Sequence, residues 1–285
     1  MIRATARAAA RLLPEPARAA LAQRRFGYSA AGSNLLVTCE PRGRALHYCV
    51  DDVPVVVPES AAADARFHFV ENGDSRAEMA AFIRMSRASR RDALLLDVGA
   101  HKGLFSLVHL ASGPQHRALL LEPSTPLASE SRALLDLNGS AARADVRCCA
   151  AGDADELRPM VTDALGFARG ATPDDRDAAE VPVATIDRLC ETSHVWPAII
   201  KIDVEGAEGA VLRGARRTLL RCRPALCLEL HLDLLERAGE DIEAIVHQLE
   251  GVGYNFFSTT GRRLPTWQLT RSLKAILRIV ATCTP

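Results

Sequence analysis

The feature that most constrains this chain is a regular alternation of short apolar runs with helix-like segments. The runs are Ala93 to Val98, Ala118 to Leu121, Val146 to Ala150, Ala198 to Val204 and Ala225 to Leu230. Between them, apolar residues recur at helical spacing. Short strands that are apolar on both faces and alternate with helices form a parallel sheet covered on both sides. We therefore predict an α/β fold with a Rossmann-like doubly wound sheet.

The alternation begins near residue 91, which predicts two domains. We expect an N-terminal extension of helix and short strands over residues 1–90 and the main domain over residues 91–285. Within the extension, residues 35–57 favour short strands and residues 75–90 favour a helix. Met1 to Gln23 is rich in Ala and Arg, with Glu15 as its only acid. We interpret residues 1–27 as an amphipathic helix, with an organelle transit peptide as the alternative.

Charge and cysteine content narrow the function classes. Acidic and basic residues balance at 35 each, which argues against a broad nucleic-acid or anionic-membrane surface. No apolar run approaches the roughly 18 residues of a membrane-spanning helix. The eight cysteines contain no Cys-x-x-Cys pair, which favours buried free thiols and a cytoplasmic location over a zinc site or a disulfide framework.

Carboxylates stand where four of the apolar runs end. They are Asp97, Glu122, Asp203 and Glu229. In an open parallel sheet, ligands bind outside the carboxyl ends of the strands, and buried acids are costly unless they are paired or solvated. These four acids are therefore predicted to rim one crevice, with helix capping as the alternative role.

The turn after the first run, residues 97–103, carries glycine at Gly99 and Gly103. This G-x-x-x-G spacing differs from the G-x-G-x-x-G of dinucleotide enzymes. We expect Gly99 to let a ligand approach the backbone and Gly103 to allow close packing at the helix start. Glu122 can accept hydrogen bonds from two ribose hydroxyls, and Asp97 can order the turn or meet an ammonium group. A nucleoside with a cationic tail, such as S-adenosylmethionine, fits these acids better than NAD.

Several segments together resemble the FkbM family of methyltransferases. They are the DVGAHKG turn, Glu122-Pro123, VATIDRL at 183–189, IKIDVEGAE at 200–208 followed by VLRGA at 211–215, and Glu229-Leu230-His231. The resemblance covers roughly residues 90–260. It implies a class I S-adenosylmethionine fold and methyl transfer, usually to a hydroxyl of a sugar or secondary metabolite. The predicted cofactor-binding residues are Asp97, Gly99, Ala100, His101, Gly103, Glu122 and, after the third strand, Asp153.

The acceptor side of the crevice is expected near the fourth strand. Asp203, Glu205 and His231 are the candidate catalytic residues, because a hydroxyl acceptor benefits from a general base. Glu208 is interpreted as a first-turn helix acid favoured by the helix dipole. Lys201 lies inside an apolar run and should pair with one of the acids. We expect no metal, although these acids with Glu229 and His231 could converge on a hard cation.

The long polar connection over residues 151–181 is predicted to form a lid or mobile loop over the acceptor pocket. Two other functions stay open at this point. A nicotinamide-dependent oxidoreductase on the same topology is disfavoured by the glycine spacing. A methyltransferase-like binding module without catalysis is disfavoured by the intact acidic segments.

Overall fold

The computed structural model describes residues 35–163, 168–172, 174–272 and 274–283. The helix predicted over residues 1–27 lies outside this range. The chain divides into two compact units after Ala80, inside the helix Gly73–Ala88. The predicted boundary at residue 90 stays a prediction.

The first unit contains an antiparallel three-stranded meander, which confirms the short strands expected here. Its strands are β1 (Val37–Arg42), β2 (Ala45–Val50) and β3 (Val53–Pro58). A 3-10 turn (Glu59–Ala61), helix α1 (Ala62–Arg66), a π-helical turn (Phe67–Glu71) and the start of helix α2 (Gly73–Ala88) follow. The guanidinium of buried Arg76 donates to the carbonyl oxygens of Phe69 at 2.7 Å and Leu35 at 3.0 Å. These hydrogen bonds link helix α2 to the segment that precedes β1 and to the π-helical turn.

The second unit is built on an eight-stranded sheet in the order β14-β13-β15-β12-β11-β4-β5-β6. The strands are β4 (Leu94–Val98), β5 (Arg117–Leu121), β6 (Ala144–Arg147), β11 (Ile199–Ile202), β12 (Ala225–His231), β13 (Tyr254–Ser258), β14 (Arg263–Leu264) and β15 (Ile276–Cys283). The run from β6 to β12 is parallel. This arrangement confirms the predicted Rossmann-like doubly wound sheet.

The last strand is a correction to the predicted all-parallel sheet. β15 runs antiparallel between β12 and β13. It was not predicted, because its residues do not form an unbroken apolar run. Ile279 and Ala281 alternate with more exposed neighbours, which is the pattern of a strand with one buried face.

The connection over residues 151–181 is also more regular than predicted. A second, four-stranded sheet has the order β7-β10-β8-β9. Its strands are β7 (Ala150–Ala151), β8 (Glu156–Thr162), β9 (Ala168–Gly170) and β10 (Ala179–Ala184). The third apolar run is correspondingly split, since β6 ends at Arg147 and β7 begins at Ala150. Antiparallel pairing satisfies the polar backbone of these strands, and the covering of an acceptor pocket by this segment stays a prediction.

Helices cover the large sheet. They are α3 (Leu104–Ser112), α4 (Thr125–Leu137), α5 (Ile186–Ser193), α6 (Glu208–Gly214), α7 (Arg216–Cys222), α8 (Leu232–Arg237), α9 (Ile242–Val252) and α10 (Thr266–Thr270), with a 3-10 turn at Ala141–Arg143. The segment after β11 forms two helices, α6 and α7, which meet at Ala215. The backbone amides of Arg217 and Thr218 donate to the carboxylate of Asp187 at 2.9 and 2.7 Å. Asp187 therefore caps the second helix.

The sheet topology determines where a ligand can bind. The chain leaves β4 for β5 on one side and later returns to β11 on the other. Such a switch point opens a crevice at the carboxyl ends of the two strands. Among the described residues, no helix has the length and apolar character to cross a membrane. All eight cysteines are free thiols, three of them buried: Cys149, Cys190 and Cys227.

Candidate active site

The turn after β4 is anchored to the end of β5. The backbone amides of Gly99 and Ala100 both donate to the carbonyl of Leu121, at 3.0 and 3.1 Å. Gly99 has a φ of +76°, and a Cβ built on it would lie 1.9 Å from the carbonyl oxygen of Asp203. The need for glycine is thus explained by the close approach of the turn after β11. The approach of a ligand to Gly99 stays a prediction beside this packing requirement.

The end of the same turn is fixed by helix α4. His101 has a φ of +50°, and its carbonyl accepts a 2.7 Å hydrogen bond from the hydroxyl of Ser131. Gly103 has a φ of +78°, and a Cβ there would meet Leu120 and Ser131 at 3.2 Å. Gly103 therefore permits the close packing predicted at the helix start.

Glu122 follows β5 and is 4% exposed. Its two carboxylate oxygens accept hydrogen bonds from the backbone amides of His101 and Ser124, both at 2.8 Å. Burial raises the pKa of Glu122 to about 7, against the opposing effect of these hydrogen bonds. The buried hydroxyl oxygen of Ser124 has no hydrogen-bond partner in the described part of the chain. The end of β5 therefore presents a carboxylate and a hydroxyl that can form further hydrogen bonds with a ligand.

Asp97 lies one residue before the end of β4 and is 2% exposed. Burial raises its pKa to about 6, although a 2.6 Å hydrogen bond from Ser106 and the charge of Lys201 act in the opposite direction. The carboxylate is therefore held inside the protein rather than at the crevice surface, which suits a role in ordering the turn.

Lys201, on β11, interacts with the acids at the ends of β4 and β11. Its side chain is buried, and Nζ lies 3.1 Å from Oδ2 of Asp203. The ammonium also lies 4.8 Å from the ring centre of Phe105, within cation–π range. The predicted pairing of Lys201 with an acid of the strand ends is confirmed.

Asp203, Glu205 and His231 come together in space. Nε2 of His231 lies 3.5 Å from Oε1 of Glu205 and 3.9 Å from Oδ1 of Asp203. Glu205 sits in the left-handed region, with a φ of +53°. One ligand atom from each of the three residues lies within 4.8 Å of the other two. We call these three residues the acceptor-side cluster.

Glu208 has a role that the sequence did not indicate. It is fully buried, and its Oε1 accepts hydrogen bonds from Nδ1 of His231 at 2.9 Å and from the amide of Gly206 at 3.2 Å. Burial alone would lower the pKa of His231, but the Glu208 hydrogen bond and the charges of Asp203 and Glu205 raise it to about 9. Glu208 thus fixes the imidazole with Nε2 facing the acids.

Glu229 is paired rather than available. Its carboxylate accepts from Nε of Arg278 at 3.1 Å, and both side chains are mostly buried. Arg278 lies on β15, the strand that was not predicted, so sequence reasoning could not supply this partner. Asp153 is likewise held by Arg213 at 2.9 Å, and Arg213 also binds Glu240. To bind a cofactor, as predicted, Asp153 would have to share its carboxylate with Arg213 or release it.

The site has two sides at the switch point. Glu122 and Ser124 follow β5. In the acceptor-side cluster, Asp203 and Glu205 follow β11, and His231 is the last residue of β12. Burial also raises the pKa of Glu205, and Asp163, near the end of β8, adds to the negative charge around it. One side presents hydrogen-bond acceptors, and the other presents groups that can bind or deprotonate a polar substrate.

Comparison with known proteins places residues 97–256, more than half of the chain, in the methyltransferase FkbM domain family. No match was found among curated proteins. The solved structures it resembles include methyltransferase FkbM from Methylobacillus flagellatus KT, at 18% identity and a TM-score of 0.44, covering 79% of this chain and 58% of that one.

Two further solved structures have similar scores. Precorrin-6y C5,15-methyltransferase from Geobacter metallireducens GS-15 has 14% identity, a TM-score of 0.41 and coverage of 73% of this chain and 87% of that one. An O-methyltransferase from Bacillus cereus, in complex with SAH, has 12% identity, a TM-score of 0.40 and coverage of 79% and 87%. The chain thus spans less than two thirds of the FkbM structure, and it matches these folds at low identity.

The matched region starts at Asp97 and ends at Phe256, so it contains the turn after β4, Glu122 and the acceptor-side cluster. It confirms the predicted family, whose cofactor is S-adenosylmethionine. The chain belongs to the FkbM methyltransferase family.

Proposed function

We propose that the protein transfers a methyl group from S-adenosylmethionine to a hydroxyl of a small molecule, either a sugar or a secondary metabolite. The supporting observation is the pair of polar groups on opposite sides of the switch point. Glu122 follows β5 on one side, and on the other side Asp203 and Glu205 follow β11 and lie near His231, the last residue of β12.

The residues of the β5 corner suit a ribose. Each oxygen of the Glu122 carboxylate accepts one backbone hydrogen bond and keeps acceptor capacity for a hydroxyl. The unpartnered hydroxyl of Ser124 lies two residues away. Glu122 would hold the ribose, the glycine turn would shape the floor of the pocket, and Asp97 would order that turn through Ser106.

Bound here, S-adenosylmethionine supplies an electrophilic methyl group on a sulfonium. The chain's own contribution is then proximity and orientation of the acceptor. The acceptor hydroxyl loses its proton to the acceptor-side cluster while its oxygen forms the bond to the methyl carbon. The electron pair of the broken carbon–sulfur bond stays on sulfur. Asp203 is the first candidate for the proton acceptor, because it directly follows β11, where Lys201 and His231 hold its carboxylate in place.

The test begins with calorimetric titration of S-adenosylhomocysteine. A panel of sugar and polyketide hydroxyls then identifies an acceptor by transfer of a labelled methyl group. With that acceptor, Asp203→Asn should lower kcat by about 10²–10⁴-fold and leave the affinity for S-adenosylhomocysteine nearly unchanged. Circular dichroism checks that the variant folds, because Asp203 also pairs with buried Lys201.

The matched control is Asp233→Asn, which removes one negative charge from an exposed position on α8. It should leave kcat unchanged. Full activity in Asp203→Asn would refute the role assigned to Asp203. Tight binding of S-adenosylhomocysteine without turnover of any acceptor would support a binding module instead of an enzyme.

A further inference from the structure

We infer that the acceptor-side cluster is a binding site for a divalent transition-metal ion, with Asp203, Glu205 and His231 as its ligands. This deepens the proposed function, on which its catalytic meaning rests. Among the described residues, these three offer one ligand atom each, all within 4.8 Å of one another.

The spacing of the ligand atoms suits a single ion. Metal–ligand bonds of about 2.1–2.2 Å place neighbouring ligand atoms roughly 3 Å apart and opposite ones roughly 4.4 Å apart. Nε2 of His231 lies 3.5 Å from Glu205 and 3.9 Å from Asp203. Only small side-chain adjustments would bring the three atoms around one ion.

The orientation of His231 is that of a metal ligand. Its side chain is buried, and Nδ1 is held by Oε1 of Glu208 at 2.9 Å. A carboxylate on one ring nitrogen is the arrangement that commonly orients a metal-binding histidine. The second ring nitrogen, Nε2, then lies within 4 Å of carboxylate oxygens of Asp203, Glu205 and Glu229.

Around the acceptor-side cluster, the described residues provide more negative than positive groups. Four carboxylates lie within 4 Å of the His231 ring nitrogens, namely Asp203, Glu205, Glu208 and Glu229. Lys201 pairs with Asp203, and Arg278 pairs with Glu229. Within the described part of the chain, Glu205 and Glu208 share the imidazole of His231 as their positive partner.

A second observation comes from Glu208 itself. Its Oε2 atom is fully buried and makes no hydrogen bond within the part of the chain that is described. A buried carboxylate left half satisfied is costly, unless positive charge nearby stabilises it. A cation bound to Nε2 of His231 would keep Nδ1 as the donor to Glu208 and would place positive charge on the far side of the ring.

The chemistry of the ligands selects the class of ion. Two carboxylate oxygens with one imidazole nitrogen favour an ion such as Mn²⁺ or Zn²⁺ over Mg²⁺, which prefers oxygen alone. Three protein ligands leave positions open for water or substrate, as in catalytic metal sites. An ion here would polarise the acceptor hydroxyl and lower its pKa, so the cluster would need no strong base.

The experiment titrates Mn²⁺ into the full chain after removal of any affinity tag and follows the free-ion signal by electron paramagnetic resonance. We expect one bound ion per chain. Asp203→Asn and Glu205→Gln should each weaken binding by about tenfold or more. Asp233→Asn removes the same charge from an exposed neighbouring position and should leave Mn²⁺ affinity unchanged.

Titration with S-adenosylhomocysteine on the same samples separates this inference from the proposed function. Normal binding of that nucleoside without any Mn²⁺ binding would overturn the metal site and leave the methyltransferase proposal standing. Equal loss of Mn²⁺ affinity in all three variants would show general charge attraction and also overturn it. Selective loss in the two ligand variants, with nucleoside binding retained, supports the site.

Discussion

Replacing Glu122 with glutamine should separate the stability of the fold from cofactor binding. Burial raises the pKa of Glu122 from its ordinary 4.5 to about 7. At about 1.4 kcal/mol per pH unit, that difference corresponds to a free-energy cost of about 3 kcal/mol for keeping the folded carboxylate ionised. Glutamine resembles the protonated acid in shape and in its single carbonyl acceptor, but it never ionises.

The sign of the effect follows from proton binding. Between pH 4.5 and 7 the folded protein keeps the Glu122 proton, while the unfolded chain has released it. The free energy of unfolding therefore decreases as the pH rises through this range. Below this range the contribution is fully present, and above it the contribution is lost. We therefore expect Glu122→Gln and wild type to differ little at pH 5. At pH 8.5 the variant should be more stable by about 3 kcal/mol.

Urea denaturation followed by circular dichroism at both pH values measures this difference. Glu180→Gln is the control, because Glu180 is exposed on β10 and should give no pH-dependent change. A difference between Glu122→Gln and wild type that is constant with pH would refute the reasoning.

The same variant should bind S-adenosylhomocysteine about 10- to 150-fold more weakly, the equivalent of about 1.5–3 kcal/mol for a hydrogen bond to a charged group. Wild-type affinity should also fall as the pH drops below 7, where Glu122 takes up its proton. Calorimetry tests both expectations. A stabilised variant with unchanged affinity would assign Glu122 to the structure of the turn alone.

Three further substitutions test the packing around the site through the free energy of unfolding. Gly99→Ala should cost more than about 2 kcal/mol, because the residue has a positive φ and its Cβ would overlap the carbonyl of Asp203; a neutral result would contradict the packing. Asp187→Ala should cost about 2–3 kcal/mol by removing two hydrogen bonds at the start of α7, whereas Asp187→Asn should retain part of them. Arg278→Met should cost about 3–5 kcal/mol, because it removes the guanidinium that pairs with the buried carboxylate of Glu229. Adding Glu229→Gln should restore much of the loss, and no recovery would disprove the pairing.

The sequence by itself determined the order of the main elements and the position of the crevice. Unbroken apolar runs such as the one ending at Asp97 can only be strands buried on both faces, and β4 is buried along its whole length. Parallel strands bring their carboxyl ends to one edge, so Glu122 and Asp203 could be placed in one crevice before any coordinates. The local sequence pattern was sufficient to predict these strands, because the pattern of apolar residues depends directly on which residues are buried.

The partners of the site residues were decided by the tertiary structure. Nothing local connects Glu229 with Arg278, 49 residues away on β15, or Glu208 with His231, 23 residues away. The requirement for Gly99 likewise comes from the carbonyl of Asp203, in the turn after another strand. Contacts of this kind depend on which strands become neighbours in the sheet. The periodicity of a single segment carries no information about its neighbours. The sequence could therefore name the acids of the site and the nearby Lys201, but not the partners that come from distant elements.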